Sequence, residues 1–191
     1  MRKLNDVTPN PLITESILIF GFSTLVFLIS MFEYQIVGAH EFNLIDLTSI
    51  VIISALFTSG IVTGIFTATT CVIFTVIVNH ITVPSVIFNI FITKIIFVLV
   101  MYAVYLLLLP RVKNREYTMY ISIAVATSIK KIFTLLLIYI DRGIFIEPWY
   151  EHVISAGVQI IIYIGLTYLI FDRMKKSFLE YNKQIREMNK K

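Results

Sequence analysis

Apolar residues in this chain fall in long unbroken runs separated by short polar segments. Runs of about 20 residues, the length a helix needs to cross a bilayer core of about 30 Å, cover residues 14–32, 84–109, 118–140 and 149–171. A further stretch, 44–78, is too long for one crossing and short for two. Its break is expected at Thr58, Ser59, Gly60 and Gly64, because glycine interrupts a helix more readily than any residue except proline. The pattern predicts an all-α fold: a polytopic integral membrane protein with six transmembrane helices, the second and third of them short.

Composition agrees, with 58 % apolar residues in a chain of 191, more than a soluble domain carries. The charges then orient the spans. Twelve of the 16 basic residues lie on one side: Arg2, Lys3, Arg111, Lys113, Arg115, Arg173, Lys175, Lys176, Lys183, Arg186, Lys190 and Lys191. The opposite loops hold Glu33, Glu41, Asp46, Asp141, Glu147 and Glu151 against Arg142. Short loops rich in Lys and Arg stay cytoplasmic, so both termini are expected inside, with the protein multi-pass in the cell membrane. The expected organisation is a cytosolic segment 1–13, a transmembrane domain 14–172 and a cytosolic helix 173–191. The first run follows Asp6, Pro9 and Pro11 and reads as a retained span rather than a signal peptide. Cytosolic basic charge suits the anionic headgroups of the lipid bilayer, not nucleic acid.

Three lysines interrupt the apolar runs: Lys94, Lys130 and Lys131. An ionisable group at bilayer depth costs about 2.5–3.5 kcal/mol on insertion scales and therefore faces protein or water. Lys94 follows Pro84 by ten positions and Lys131 precedes Asp141 by ten, so each backbone sits about 15 Å below the outer surface. Adjacent antiparallel spans would bring these two ammonium groups to one level, where Asp46, Glu147, Glu151 or a bound anion would neutralise them. The ligand-binding candidates are accordingly Lys94, Lys131, Asn89, Glu147 and Trp149. The ligand class is an anionic small molecule with a carboxylate or phosphate, arriving from outside. Lys130 and Lys131 are about 100° apart on a helix and are not expected to share one pocket. In the structural alternative, one lysine snorkels and another pairs with a structural carboxylate.

Other polar positions narrow the chemistry. Thr93 and Gln159 suit hydrogen bonds between helices, and Trp149 and Tyr150 after Pro148 suit a membrane interface. His40, His80 and His152 have no metal-ligand spacing, so no metal is expected, and no cofactor either. Cys71 is expected to be a small buried side chain. No phosphate-binding glycine loop, HExxH or nucleophile elbow is present, so no catalytic residues are assigned and an enzyme is not expected.

Beyond the last run, Phe171, Met174, Phe178, Tyr181, Ile185 and Met188 recur at steps of 3, 4, 3, 4 and 3, an a/d heptad seam. Met174, Phe178, Tyr181, Ile185 and Met188 are the expected dimerisation helix of a homodimer, passing a signal to a cytosolic output domain or protein. The alternative is an amphipathic helix resting on the bilayer.

The short pair of helices from Asp46-Leu47-Thr48 through Thr58-Ser59-Gly60-Ile61-Val62-Thr63-Gly64, the long fourth span, the basic inner loop and the last span running into a cytosolic helix resemble the five-transmembrane receptor module of LytS-type sensor kinases and certain bacterial diguanylate cyclases. The resemblance covers roughly residues 14–180. The family's glycine- and proline-rich turn is reduced to Gly60 and Gly64, and Asn79 and His80 stand near its usual arginine. It implies a dimeric membrane input domain that binds an external or membrane-borne signal. The layout is also similar to the substrate-binding S components of energy-coupling-factor transporters and to the rod-shape protein MreD. Those likenesses imply the two alternatives, a small-molecule transporter subunit and a morphogenesis or defence-system membrane scaffold.

Overall fold

The computed structural model describes residues 11–37, 46–112, 114–142 and 149–188. Side-chain surroundings are described for 13–31, 46–112, 114–140 and 150–170. Among the described residues every regular element is a helix: α1 (Pro11–Val37), α2 (Leu47–Ser59), α3 (Ile61–Val78), α4 (Pro84–Leu108), α5 (Arg115–Arg142) and α6 (Trp149–Met188). Five contain segments long and apolar enough to cross a membrane: Ile13–Met31, Ile61–Val78, Pro84–Leu108, Arg115–Ile140 and Tyr150–Ile170. The sixth, α2, has 13 residues and measures about 20 Å, two-thirds of a bilayer core. The chain is thus a multi-pass membrane protein by the length and composition of its helices.

Local chemistry sets the helix ends. Asp46 caps α2, its carboxylate accepting from the Ser49 N–H. Asn114 caps α5, its side-chain oxygen accepting from the Glu116 N–H at 2.9 Å. Pro84 opens α4 at the first turn, where its missing N–H has no intrahelical acceptor to lose. At the end of α3, the N–H of Ile81 reaches the Val76 carbonyl and that of His80 reaches Ile77. This is the paired closure of a Schellman turn, which puts His80 at the left-handed position (φ 51°) that glycine normally fills.

The expected glycine break is realised at a single residue. Gly60 ends α2 and starts α3 with φ 92° and ψ −176°, a conformation essentially restricted to glycine. The chain folds back there. A Cβ placed on Gly64 would stand 3.4 Å from the Leu56 Cα and 3.3 Å from its Cβ, although residues eight apart in a straight helix are about 12 Å apart. Gly64 therefore lets the two helix backbones touch.

Pairings further along give the helix directions. Ser23 bonds Thr70 and Phe27 stacks near Phe74, so α1 and α3 run parallel. Ser49 meets Lys94 and Phe57 meets Tyr105, so α2 and α4 run parallel. Only five residues separate α3 from α4 and six separate α4 from α5, so α4 runs antiparallel to both. The core is built from Val26, Ile52, Ile53, Phe97, Val98, Met101, Met119, Ile123 and Tyr163. Large apolar side chains such as Ile17, Phe20, Leu107, Ile132 and Ile161 face outward, a surface suited to lipid rather than water.

Beside these apolar groups, the interior also carries rows of small and polar side chains. On α5, Thr118, Ser122, Ala126 and Lys130 are buried at steps of four, and on α6 so are Ser155, Gln159, Tyr163 and Thr167. Buried hydroxyls such as Ser122, Thr127 and Thr67 donate to carbonyls one turn earlier, which satisfies them without a second helix.

Candidate functional site

The buried end of α2 carries the densest polar chemistry in the described residues. Asp46 projects its carboxylate from the N-cap, and two lysines from different helices reach the same oxygen: Lys94 Nζ lies 2.5 Å and Lys130 Nζ 2.7 Å from Oδ2. The lysine side chains are 9 % exposed and that of Asp46 is 14 %. Lys94 stands ten positions into α4 (84 to 94) and Lys130 twelve before the end of α5 (142 to 130). Their backbones are therefore about 15 and 18 Å from those helix ends, and α2 begins inside the bundle, not at its rim.

The two residues that follow the cap complete the cluster. Oδ1 of Asp46 accepts from the Thr48 hydroxyl (2.5 Å) and the Ser49 N–H (3.1 Å), and Oδ2 also accepts from the Ser49 hydroxyl (2.7 Å). Both lysines donate in addition to Ser49 Oγ, at 3.3 Å from Lys94 and 3.2 Å from Lys130, and Lys94 donates to Thr48 Oγ1 at 3.1 Å. The Lys130 ammonium also sits 5.2 Å from the centre of the buried Phe97 ring, a favourable cation–π placement. Five donors thus surround one carboxylate. Buried charges persist only when such hydrogen bonds replace the lost water, and the α2 dipole adds a positive pole at the same point.

Of the lysines expected to share a depth, Lys94 is joined by Lys130, while Lys131 donates to Ser155 Oγ on α6 at 3.0 Å. The 100° step between neighbours decides this: Lys130 continues the buried Thr118–Ser122–Ala126 row, and Lys131 falls on the side that faces α6. Asn89 is half-buried one turn above Thr93, whose hydroxyl donates to its carbonyl. Glu147 lies outside the described residues, as do the side chains of Trp149, Met174, Phe178, Tyr181, Ile185 and Met188. Thr48, Ser49 and Ser155 were not singled out from sequence. The legible signal was an N-cap aspartate followed at once by two hydroxyl residues before an apolar run, and, for Lys130, the row of small residues at steps of four.

Among the described residues no group of His, Cys, Asp and Glu has the arrangement of a metal site. The cluster can hold negative charge, fix the start of α2 relative to α4 and α5, and connect through adjacent residues of α5 to α6. Compared with family models, curated proteins and solved structures, the chain shows no match.

Proposed function

We propose that the chain is a membrane receptor module whose input is the Asp46–Lys94–Lys130 cluster and whose output is the far end of α6. The observation that carries this reading is the course of α6. One unbroken helix lines the bundle interior with Ser155, Gln159, Tyr163 and Thr167, ends its apolar part at Ile170 and runs on to Met188, about 27 Å further. Its interior half packs on α2 and α5, the helices that supply Asp46 and Lys130. Lys131 then ties α5 to α6 at Ser155. A change at the cluster has a short mechanical route to a helix that leaves the apolar zone.

In this reading α2 completes one of six passes, both termini face the cytoplasm, and the α6 tails of two copies pair along Met174, Phe178, Tyr181, Ile185 and Met188. The parallel courses of α1 with α3 and of α2 with α4 support that topology, and so does the concentration of Lys and Arg in 109–115 and beyond 172. The apolar repeat of the tail supports the pairing.

The test is disulfide crosslinking of single cysteines at Phe178 and Ile185 in membranes, with Asp46 intact and with Asp46→Asn. A receptor should change its tail crosslinking rate when the cluster loses its negative charge. Identical rates in two folded proteins would refute the reading.

A further inference from the structure

We infer that the cradle around Asp46 is a carboxylate-binding site that the protein's own side chain occupies, and that an external carboxylate exchanges with it. This deepens the receptor reading and rests on it, since it names the class of ligand that reaches the input cluster. The argument begins with the composition of the cradle. The groups that converge there are two ammonium groups, the hydroxyls of Thr48 and Ser49 and the Ser49 N–H. All can donate, and none carries negative charge. If Asp46 rotates away, what remains at the start of α2 among the described residues is a set of donors from three helices.

The donors are also sorted between two oxygens. One position receives the Thr48 hydroxyl and the Ser49 N–H, and the other receives both lysines and the Ser49 hydroxyl. That division matches a planar group with two oxygens, which is a carboxylate rather than a tetrahedral phosphate or a single halide. The lysines come from α4 and α5, so a ligand here would bridge the same helices that Asp46 bridges now. The Phe97 ring lies against Lys130 and holds that ammonium in place by a cation–π contact. Asp46 is the most exposed member of the trio, so the occupant that must leave is the least enclosed of the three.

The experiment follows the unfolding midpoint of purified protein in detergent against sodium acetate and sodium formate, with sodium chloride at equal ionic strength as reference. Asp46→Ala vacates the cradle, and Asp46→Asn keeps the shape of the cap if the alanine variant does not fold. Either variant should gain stability saturably, by about 3–5 °C at ten times half-saturation. Wild type should respond at concentrations at least tenfold higher, because its tethered carboxylate competes. The wild-type titration reads the proposal even if neither variant folds. The added replacement of Lys94 and Lys130 by Met should abolish the response. No response beyond chloride, an equal response to phosphate or sulfate, a response that survives loss of both lysines, or one confined to the variants would each overturn the proposal. These midpoints do not depend on the tail, so failure of the receptor reading, seen as unchanged crosslinking, is distinguishable from failure here.

Discussion

Lys130 and Lys131 are neighbours in sequence and serve different helices: Lys130 donates to Asp46 at the start of α2, and Lys131 donates to Ser155 on α6. Two adjacent side chains on one rigid helix therefore join the buried cluster to the helix that lies beyond it. The two links differ in kind. The first is a buried ion pair and the second a charged donor on a hydroxyl, and their loss should be unequal.

Removing the negative charge at Asp46 leaves two buried ammonium groups facing each other. Asp46→Asn should lower stability by about 3–5 kcal/mol, read from denaturant or thermal unfolding in detergent. Lys94→Met or Lys130→Met alone should cost less, because the other lysine still neutralises Asp46. The double lysine variant should lose more than the sum of the two single changes, since only then is the carboxylate left without either partner. Additive losses would show that the lysines act independently.

Lys131→Met should cost about 1.5–3 kcal/mol, the usual worth of a charged hydrogen bond, and Ser155→Ala about as much. The two changes combined should cost little more than either alone. If Lys131→Met matched Asp46→Asn in severity, the assignment of Lys130 as the interior lysine would be in error.

Gly64→Ala places a methyl group 3.2–3.4 Å from Leu56 Cδ1, Cβ and Cα. Two of those three atoms cannot move without the backbone of α2. The expected loss is about 1–3 kcal/mol, and the same change made in a Leu56→Ala background, where the Cδ1 contact is gone, should cost less. Gly60→Ala should lose a similar amount for a different reason, the forbidden backbone at φ 92°, and no partner substitution should rescue it.

His80→Gly should raise stability by about 1 kcal/mol, because glycine takes the left-handed position without the Cβ clash. A loss of stability would mean that the imidazole makes a contact worth more than the backbone strain.

Single cysteines report the topology. Those placed at Val37 and Gly143 should react with an impermeant thiol reagent added outside intact cells, and one at Asn114 should not. Labelling at Asn114 alone would reverse the orientation.

The apolar runs by themselves determined that the chain is helical and membrane-bound, and they narrowed the break to the stretch 58–64, because span length and glycine's cost in a helix are local properties; the structure places it at Gly60. They also marked Lys94, Lys130 and Lys131 as groups needing partners, since a charge in hydrocarbon is costly wherever the helix turns. Which lysine meets Lys94 was decided only by the tertiary structure. In water, an apolar stripe tells inside from outside, but in a membrane the lipid face is as apolar as the core. The rotation of α5 about its axis is therefore weakly written in hydrophobicity, and only its row of small residues hints at it. The length of α2 was likewise settled in three dimensions. The run that begins at Leu44 looks continuous with the apolar zone, but Asp46 stops the helix where two lysines, 48 and 84 positions away in sequence, converge on its carboxylate. No local pattern records a meeting at that separation, and packing of α4 against α5 is what brings it about.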